Sequence, residues 1–555
     1  MKRIGIILNS TNCSKYLYET VSELAKSNQV ELFFLLNRTV TAQQGFYKKI
    51  TSQIKAKGSV RFMELVFYQV LTGAEDRILS SFSRQIKEHH KTLSIDEFNK
   101  NDITYLRPVF SASGATVRYP DEDINKVKSL NLDLIVRGNA SGIFKGDIIK
   151  SAKDGIISFH HGDNRWNRGG PPAFWEVYLR KPLTGFIIQI LTEELDGGAV
   201  LFRGNIPTRR SFTENIVSLY NESNPYLAKI ILEYAASNHL PPAEEGIPFW
   251  GSLLTRPSFA QSISYLLRTS SAFLSPRIRR YVLREHNRWG VAFISGPWRD
   301  AILRKGVRIK NPPERYFADP FVVTRNSRTV CFVEDYSYKQ KRGCIAAVEI
   351  IDKNRYEILG PVIEEPFHMS FPYLFEYQQE LYMIPETAGS NSIRLYKCVE
   401  FPLKWEYEKE ILSGFNAVDS MIFEYKGKWW LLTNRAINGG NDYYSQLMAY
   451  YSEQPLSGEW IAHERNPVVF DSSTARNGGI LDVEGNFPIR CRQRQGFNSY
   501  GNSLTLARIT GLTPSSFSEQ EIGQILPNFF PKIKRCHHFH SNGKYTVYDY
   551  LGTRN

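Results

Sequence analysis

The 555-residue chain is poor in cysteine. Its six (Cys13, Cys331, Cys344, Cys398, Cys491 and Cys536) are scattered, and no two make a Cys-x-x-Cys pair. Neither a disulfide framework nor a zinc site is indicated, which fits a reducing cytoplasm. Long apolar runs are missing too. No stretch approaches the roughly 20 residues of a membrane span. The opening MKRIGIILNSTNC has only a short apolar run before Asn9, a first β-strand rather than a secretory signal. Acid is in deficit: 56 Asp and Glu stand against 69 Lys and Arg, a formal net charge of +13. That excess favours an acidic partner such as phosphate, nucleotide, acidic glycan or membrane surface. The basic residues are dispersed and no RRM, KH or helix-turn-helix pattern stands out, so nucleic acid is not the expected partner.

What is present describes a globular protein, 42% hydrophobic and 23% charged, with enough chain for several domain-sized units. Aromatics reach 13%, which suits β-rich architecture and sugar-facing surfaces. The most informative stretch is residues 156–202, IISFHHGDNRWNRGGPPAFWEVYLRKPLTGFIIQILTEELDGGAVLF. It reads as strand, polar loop, helix, strand, tight turn, strand. Ile156 and Ile157 end an apolar strand that delivers Ser158, His160 and His161 to its carboxyl end. The loop from Gly162 to Gly170 is polar and glycine-rich and holds Asp163, Asn167, Arg168 and Gly169. Pro171 and Pro172 fit the first turn of a helix, to which Phe174, Trp175 and Val177 give apolar side chains. Residues 184–191 make a strongly apolar strand, and Glu194-Leu195-Asp196-Gly197-Gly198 turns the chain into the next. Histidine titrates near neutrality, and a carboxylate can orient it and hold it charged. His160 and Asp196 fit those roles, or are simply polar residues at strand ends.

The combination resembles the folate-dependent formyltransferase family, enzymes that move a formyl group from 10-formyltetrahydrofolate to an amine. Ser158-Phe159-His160 stands where that family has Asn-x-His. Arg168-Gly169-Gly170-Pro171-Pro172, Thr184-Gly185 and Leu195-Asp196-Gly197-Gly198 follow in the family's order. The resemblance implies a Rossmann-type α/β domain with 10-formyltetrahydrofolate as co-substrate. It makes His160, Asp196 and Ser158 catalytic and sets Asp163, Asn167, Arg168 and Gly169 beside the acceptor. Ser158 is a departure, because the family's Asn helps stabilise the oxyanion of the tetrahedral intermediate. A serine is shorter and donates a single proton, and losing one such donor typically costs ~10²–10³ in rate. Three readings stay open: Ser158 donates in another geometry, His161 or Asn164 substitutes, or the chemistry has changed.

Residues 1–155 alternate between strand and helix. Ile4 to Leu8 is a buried strand, and Asn9 to Asn12 is a polar turn able to cap a helix over Tyr16 to Ser27. Val30 to Leu36 is a second strand, and the stretch from about 60 to 100 reads as helical. A strand over Leu132 to Val136 runs into the loop Arg137 to Ile143, which lies where open parallel sheets bind ligands. The resemblance makes that loop part of a pterin pocket and gives Gly138, Ile143 and Leu195 to the folate. Residues 206–305 read as a helical connector, with a helix over Thr213 to Asn238 and a turn at Pro241-Pro242. Beyond it, Arg268, Arg277, Arg279, Arg280, Arg284 and Arg288 interleave with apolar residues as a basic amphipathic helix. Such a helix touches a membrane surface or acidic ligand, or packs domains together with a solvated basic face.

From about 310 the texture changes to short strands, in units that begin near Asp319, Phe371, Asp419, Arg476 and His537. Recurrence near 50 residues suggests propeller blades, and five units a five-bladed β-propeller. Blade-initial Asp319, Asp419, Arg476 and His537, with Glu334 and Glu386 one strand later, then point at a central channel. The Asp-Pro strand start resembles the five-bladed glycosidase propellers, where such an Asp is the general base. Ala318-Asp319-Pro320-Phe321, the run Glu364 to Pro372, and Ile384-Pro385-Glu386-Thr387 resemble the N-terminal domain of plant glucosamine inositolphosphorylceramide transferases. These likenesses imply the fold and a carbohydrate context. Glycoside hydrolysis needs two carboxyls ~5–5.5 Å or ~6.5–9.5 Å apart; Asp319 with Glu386 or Asp419 is the candidate pair. The alternatives are glycan binding without chemistry and a buried ring of satisfied hydrogen bonds.

The expectation is thus a formyltransferase-like α/β domain over 1–205, a helical connector over 206–305 and an all-β propeller over 306–555. The expected function is cytoplasmic formyl transfer to an amine, that of an amino sugar in surface-glycan synthesis. The rival is a glycan-binding or glycoside-processing propeller protein with a degenerate formyltransferase domain.

Overall fold

The structure, a computed structural model, describes residues 1–38, 58–112, 114–282, 286–436, 442–484 and 487–554. Apolar runs build a seven-stranded sheet in the first of two units, Met1–Phe273. Its strands are β1 (Lys2–Leu8), β2 (Val30–Asn37), β3 (Thr104–Leu106), β4 (Leu134–Arg137), β5 (Ile156–His160), β6 (Leu183–Ile190) and β7 (Val200–Pro207). They lie in the order β7-β6-β5-β4-β1-β2-β3. The strands from β5 through β3 are parallel, and β6 and β7 are antiparallel. Parallel strands are covered on both faces, so they read as continuous apolar runs; Ile4, Ile6, Ile7 and Leu8 of β1 are all buried. β4 ends at Arg137 and β5 at His160, on the same edge of the sheet.

The helices differ in detail from the sequence reading. Helix α1 spans Lys15–Ala25 and is capped by Ser14, whose hydroxyl accepts from the Leu17 amide. The expected cap at Asn9 to Asn12 is displaced because Asn12–Ser14 pairs with Thr92–Ser94 as a two-stranded ribbon. That ribbon also ends the helical stretch expected to about 100, which comprises Ser59–Ser80 and Arg84–His89. Pro171 and Pro172 precede their helix rather than start it. Ala173 sits at φ 62, which no helix accommodates, so the helix is the short Phe174–Tyr178. The helix expected over Thr213 to Asn238 is two, Phe212–Ser223 and Pro225–Ser237, with Pro225 opening the second. The basic helix spans Phe259–Tyr281. Arg284 falls outside the described residues, and Arg288 belongs to a strand, with its guanidinium on backbone carbonyls of Pro312 and Arg315. Among the described residues no helix is long and apolar enough to cross a membrane.

The second unit, Leu274–Asn555, is built of antiparallel sheets. Four are consecutive in the chain, running from Arg315–Arg325 to Tyr356–Ile363, from Ser370–Tyr377 to Lys404–Ser413, from Ala417–Tyr425 to Val469–Phe470, and from Asn477–Glu484 to Ser516–Ile525. The fifth joins distant segments: His286–Ser295 pairs along its length with Tyr545–Arg554, which also pairs with Phe539–Ser541. The first strands of the four sheets adjoin one another in order, and Phe539–Ser541 adjoins both the fourth and the first. Three first strands carry a β-bulge with a non-glycine residue in the left-handed region: Asp319 (φ 49), Phe371 (φ 46) and Asp419 (φ 48). Bulges re-aim side chains, and here they bring two of those residues into one cluster. All six cysteines are buried and free.

Candidate functional site

The first unit gathers His160 and Asp196 at the carboxyl edge of its parallel sheet. His160 is the last residue of β5, and Asp196 sits in the turn between β6 and β7 at φ 47. Gly198 makes that turn possible: a Cβ there would lie 1.8 Å from the Ile190 carbonyl oxygen. His160 Nδ1 is 3.1 Å from Asp196 Oδ2, and His160 Nε2 is 3.1 Å from the Asn167 carbonyl oxygen. Both ring nitrogens therefore face acceptors, the pattern of an imidazolium. Burial alone would lower the His160 pKa, but the Asp196 carboxylate outweighs it and, helped by the Asn167 carbonyl, raises the pKa above the ordinary value. Asp196 is held in turn by Gln189, which stands opposite Ser158 across β5 and β6. The Gln189 amide donates to Asp196 Oδ1 at 2.9 Å and accepts from the Gly198 amide.

A cavity of about 330 Å³ opens beside the pair, lined by Arg137, Ile143, Phe159, His161, Leu195 and Gly169 among others. Of the residues expected to bind folate, Ile143 and Leu195 line it. Gly138 instead packs on β1, where a Cβ would meet Leu8 and Ile7. Ser158 does not line it; its buried hydroxyl donates to the Phe159 carbonyl at 3.0 Å. Of the two substitutes considered for Ser158, Asn164 is committed to the Asp196 backbone carbonyl. His161 does line the cavity, stacked on Tyr220 at 3.9 Å and held neutral by burial, its pKa lowered to about 3.

Arg168 is not poised for a ligand. It is buried, and its guanidinium spans the Asn164 carbonyl, the Glu194 carboxylate and the Ile247 carbonyl. It thereby ties the polar loop to the Asp196 turn. Asp163 is paired with Arg165 and Arg203, which hold its carboxyl below the usual range against the pull of burial. Asn167 supplies the carbonyl on His160 and caps the Gly169 amide.

Two features escaped the sequence reading. One is the irregular segment after Ser237, a strap laid on the site by backbone groups: Leu254 accepts from Gly170 and Thr255 from Trp175. A Cβ on Gly169 would lie 1.9 Å from the Leu254 carbonyl oxygen, so the loop needs glycine there. The other is Glu176, buried behind His160 with its pKa raised by burial to about 7. Neither a strap held by main-chain carbonyls nor a lone buried Glu leaves a sequence pattern.

In the second unit all six expected channel residues converge. His537 lies between Asp319 (Nε2 to Oδ1, 3.1 Å) and Asp549 (Nδ1 to Oδ2, 2.6 Å). Arg476 Nε meets Asp419 Oδ2 at 2.6 Å, and its Nη2 is 3.8 Å from Glu386. Glu334 stands 3.7 Å from His368. The cluster is buried, which drives the pKa values of its groups away from their ordinary ranges. Against the penalty of burial, the flanking carboxylates raise His537 to about 10, and His537 lowers Asp319 to about 2. Burial with neighbouring carboxylates raises Glu386 to about 8 and Glu334 well above the ordinary range. Asp319, His537 and Asp549 also bring one ligand atom each within 4.8 Å of one another, a donor set of the kind that holds a metal ion. Asp549 had no motif to announce it.

Comparison with known proteins finds two sets of relatives. Residues 300–536 match the family described as glucosamine inositolphosphorylceramide transferase 1, N-terminal. Glucosamine inositolphosphorylceramide transferase 1 of Arabidopsis thaliana is 35% identical over 213 residues, 38% of this chain and 28% of that protein. The protein of the same name from Oryza sativa subsp. japonica is 32% identical over 211 residues, 37% of this chain and 28% of its own length. Methionyl-tRNA formyltransferase of Bacillus subtilis is 30% identical over 112 residues, 20% of this chain and 35% of the enzyme. The chain thus spans about a third or less of each of these relatives. Among solved structures, a 4-N formyltransferase from Francisella tularensis aligns at TM-score 0.27 and 12% identity, covering 48% of this chain and 87% of that one.

Proposed function

We propose that the first unit transfers a formyl group from a 10-formyltetrahydrofolate co-substrate to the amine of an amino sugar, in the synthesis of a surface glycan. The observation that carries this reading is the charged His160–Asp196 pair at the wall of a cavity. The residues present suit a folate. Ile143, Leu195 and Phe159 offer apolar faces for a flat heterocycle, and Arg137 offers charge for its polar edge. When bound, the folate supplies an activated formyl group. His160 then acts as an electrophile: its Nε2–H leaves the Asn167 carbonyl and donates to the formyl oxygen as charge grows there. Asp196, fixed by Gln189, keeps the imidazolium charged and oriented. His161 takes over the donor role that Ser158, turned to the Phe159 carbonyl, does not fill. The new C–N bond forms to the acceptor amine, the bond to the folate nitrogen breaks, and the amine's proton ends on that nitrogen. His160 ends the cycle as it began.

The amino-sugar acceptor draws its support from the glucosamine-named relatives and from the second unit. There the five sheets, whose first strands adjoin in sequence and return to the start, accord with a five-bladed propeller. The test is calorimetric titration of a stable folate analogue into the full chain and into His160→Ala and Asp196→Ala. Micromolar binding (~8 kcal/mol) to the full chain, followed by formylation of a member of an amino-sugar panel, is expected. No saturable binding at millimolar analogue overturns the proposal.

A further inference from the structure

A cavity of about 1480 Å³ in the second unit lies near the buried carboxylate cluster, with Trp289 of its lining resting on His537. Its walls have two chemistries. Tyr316 and Tyr336 stack at 4.8 Å with 15° between their planes, and Tyr338 meets both edge-on. Trp289, across from them in the lining, rests on the His537 ring at 4.0 Å. Around these rings stand Lys339, Lys341, Lys534 and Arg535, and Glu314 is the one acidic side chain among the described lining residues. Lys339 and Lys341 are exposed and make no ion pair among the described residues. Cross-strand register joins this cavity to the acids. Tyr316 pairs with Tyr336 and Ala318 with Glu334, so Tyr336 and Glu334 share a sheet face, ~7 Å apart along the strand.

The lining joins a cationic rim to an aromatic wall, with Glu314 as its carboxylate among the described residues and the buried acid cluster behind the tyrosines. We propose that it binds an anionic sugar. The phosphate or carboxylate lies against Lys339 and Lys341, a sugar ring lies on the tyrosines and Trp289, and hydroxyls reach Glu314 and Asn287 of the lining. An amphipathic ring face suits Tyr and Trp, each apolar over its body and polar at its tip. The basic mouth draws anions in. An extended polyanion such as single-stranded nucleic acid would share the stacking and the lysines. The sequence carries no nucleic-acid-binding pattern, which disfavours it. The volume exceeds that of ordinary small-molecule sites, roughly 300–1,000 Å³, and leaves room for more than one sugar ring. No part of this inference depends on the chemistry of the first unit.

The experiment is calorimetric titration of the full chain with glucose 1-phosphate, a trigalacturonate, neutral maltotriose, inorganic phosphate and a short oligothymidylate. One or both anionic sugars are expected to bind at least ~10-fold more tightly than maltotriose or phosphate, and to weaken with salt. The arm that binds says whether phosphate or carboxylate is the anion. The double variant Lys339→Glu/Lys341→Glu, at exposed positions, is expected to weaken binding by ~10-fold or more while the thermal unfolding midpoint stays as in the parent. Tyr338→Ala, also at the surface, is expected to weaken it by about fivefold. Equal binding of maltotriose, equal binding of phosphate alone, preference for oligothymidylate, indifference to the lysine reversals, or no saturable binding of either anionic sugar at about 10 mM each overturn the proposal.

Discussion

Each unit holds a histidine against aspartate, and the two differ in what stands on the far side of the ring. His160 has one carboxylate and one backbone carbonyl, at a cavity wall, with side chains 12% and 15% exposed for His160 and Asp196. His537 has a carboxylate on each side and is 4% exposed beneath Trp289. A histidine clamped by two anions is fixed in charge and position. A histidine with one anion and one neutral acceptor is also charged, but one of its nitrogens can change partners at little cost. The clamp suits a structural role, and the open pair is the one the proposed function draws on.

The comparison can be broken most forcefully in the second unit. Arg476→Met would leave Asp419 and Glu386 without their shared cation, and losing one member of a buried ionic group costs ~3–5 kcal/mol. Urea unfolding of the full chain should show that loss in the transition of the second unit. A change under about 1 kcal/mol would mean that a shared proton replaces the arginine. The counterpart in the first unit is His160→Gln. It should leave the unfolding midpoint nearly in place and lower formyl transfer by ~10²–10³, the effect of losing one donor to a developing oxyanion.

Acidity separates the two pairs further. The folded state binds the His537 proton up to about pH 10, against ~6.5 when unfolded. Its stabilisation is therefore whole below about 6.5 and disappears as the pH rises through 10. Glu386 acts in the same direction: held protonated to about 8 against ~4.3 unfolded, it removes stability as the pH climbs between those values. The urea midpoint of the second unit should fall steadily from pH 6 to 9, and His537→Gln should flatten the upper part of that slope. His160, also raised, follows the same sign over a window that begins near ~6.5, read by proton NMR of the imidazole. The mildest expected effect is that of Gln189→Leu. Loss of one hydrogen bond to Asp196 should lower kcat about threefold to tenfold and leave KM unchanged. A change in KM alone would place Gln189 with binding rather than with orientation.

The pairing of His160 with Asp196 was legible because both stand beside turns that glycine makes possible, at the ends of strands whose apolar runs are unambiguous. That Asp319, Glu386, Asp419, Arg476 and His537 share one buried cluster was legible because the strand units recur. Arg168 was misleading: a lone arginine in a glycine loop has the composition of a ligand site, and only Glu194 and the Ile247 carbonyl, remote in sequence, bury it. Ser158 gave the right warning, since a short hydroxyl finds its own neighbouring carbonyl before it finds a substrate. Strand His286–Ser295 read as connector because its partner, Tyr545–Arg554, is far along the chain, and nothing local marks a strand whose ladder is that distant. The strap after Ser237 left no trace because main-chain carbonyls are the same in every residue.

That distant ladder has a consequence for how the protein is made. About 260 residues separate the two strands of the fifth sheet, and at ~5–20 residues per second a ribosome needs on the order of 10–50 s to cover them. Until Tyr545–Arg554 is made, the edge of His286–Ser295 that it covers is bare, and His537, made just before it, has no Asp549 to hold its charge. Tyr545–Arg554 covers that edge and supplies Asp549 in one stretch of chain. A ribosome that stalls or stops short of it therefore releases a second unit lacking both, recognisable to the cell's quality control by an open edge and an uncompensated buried charge.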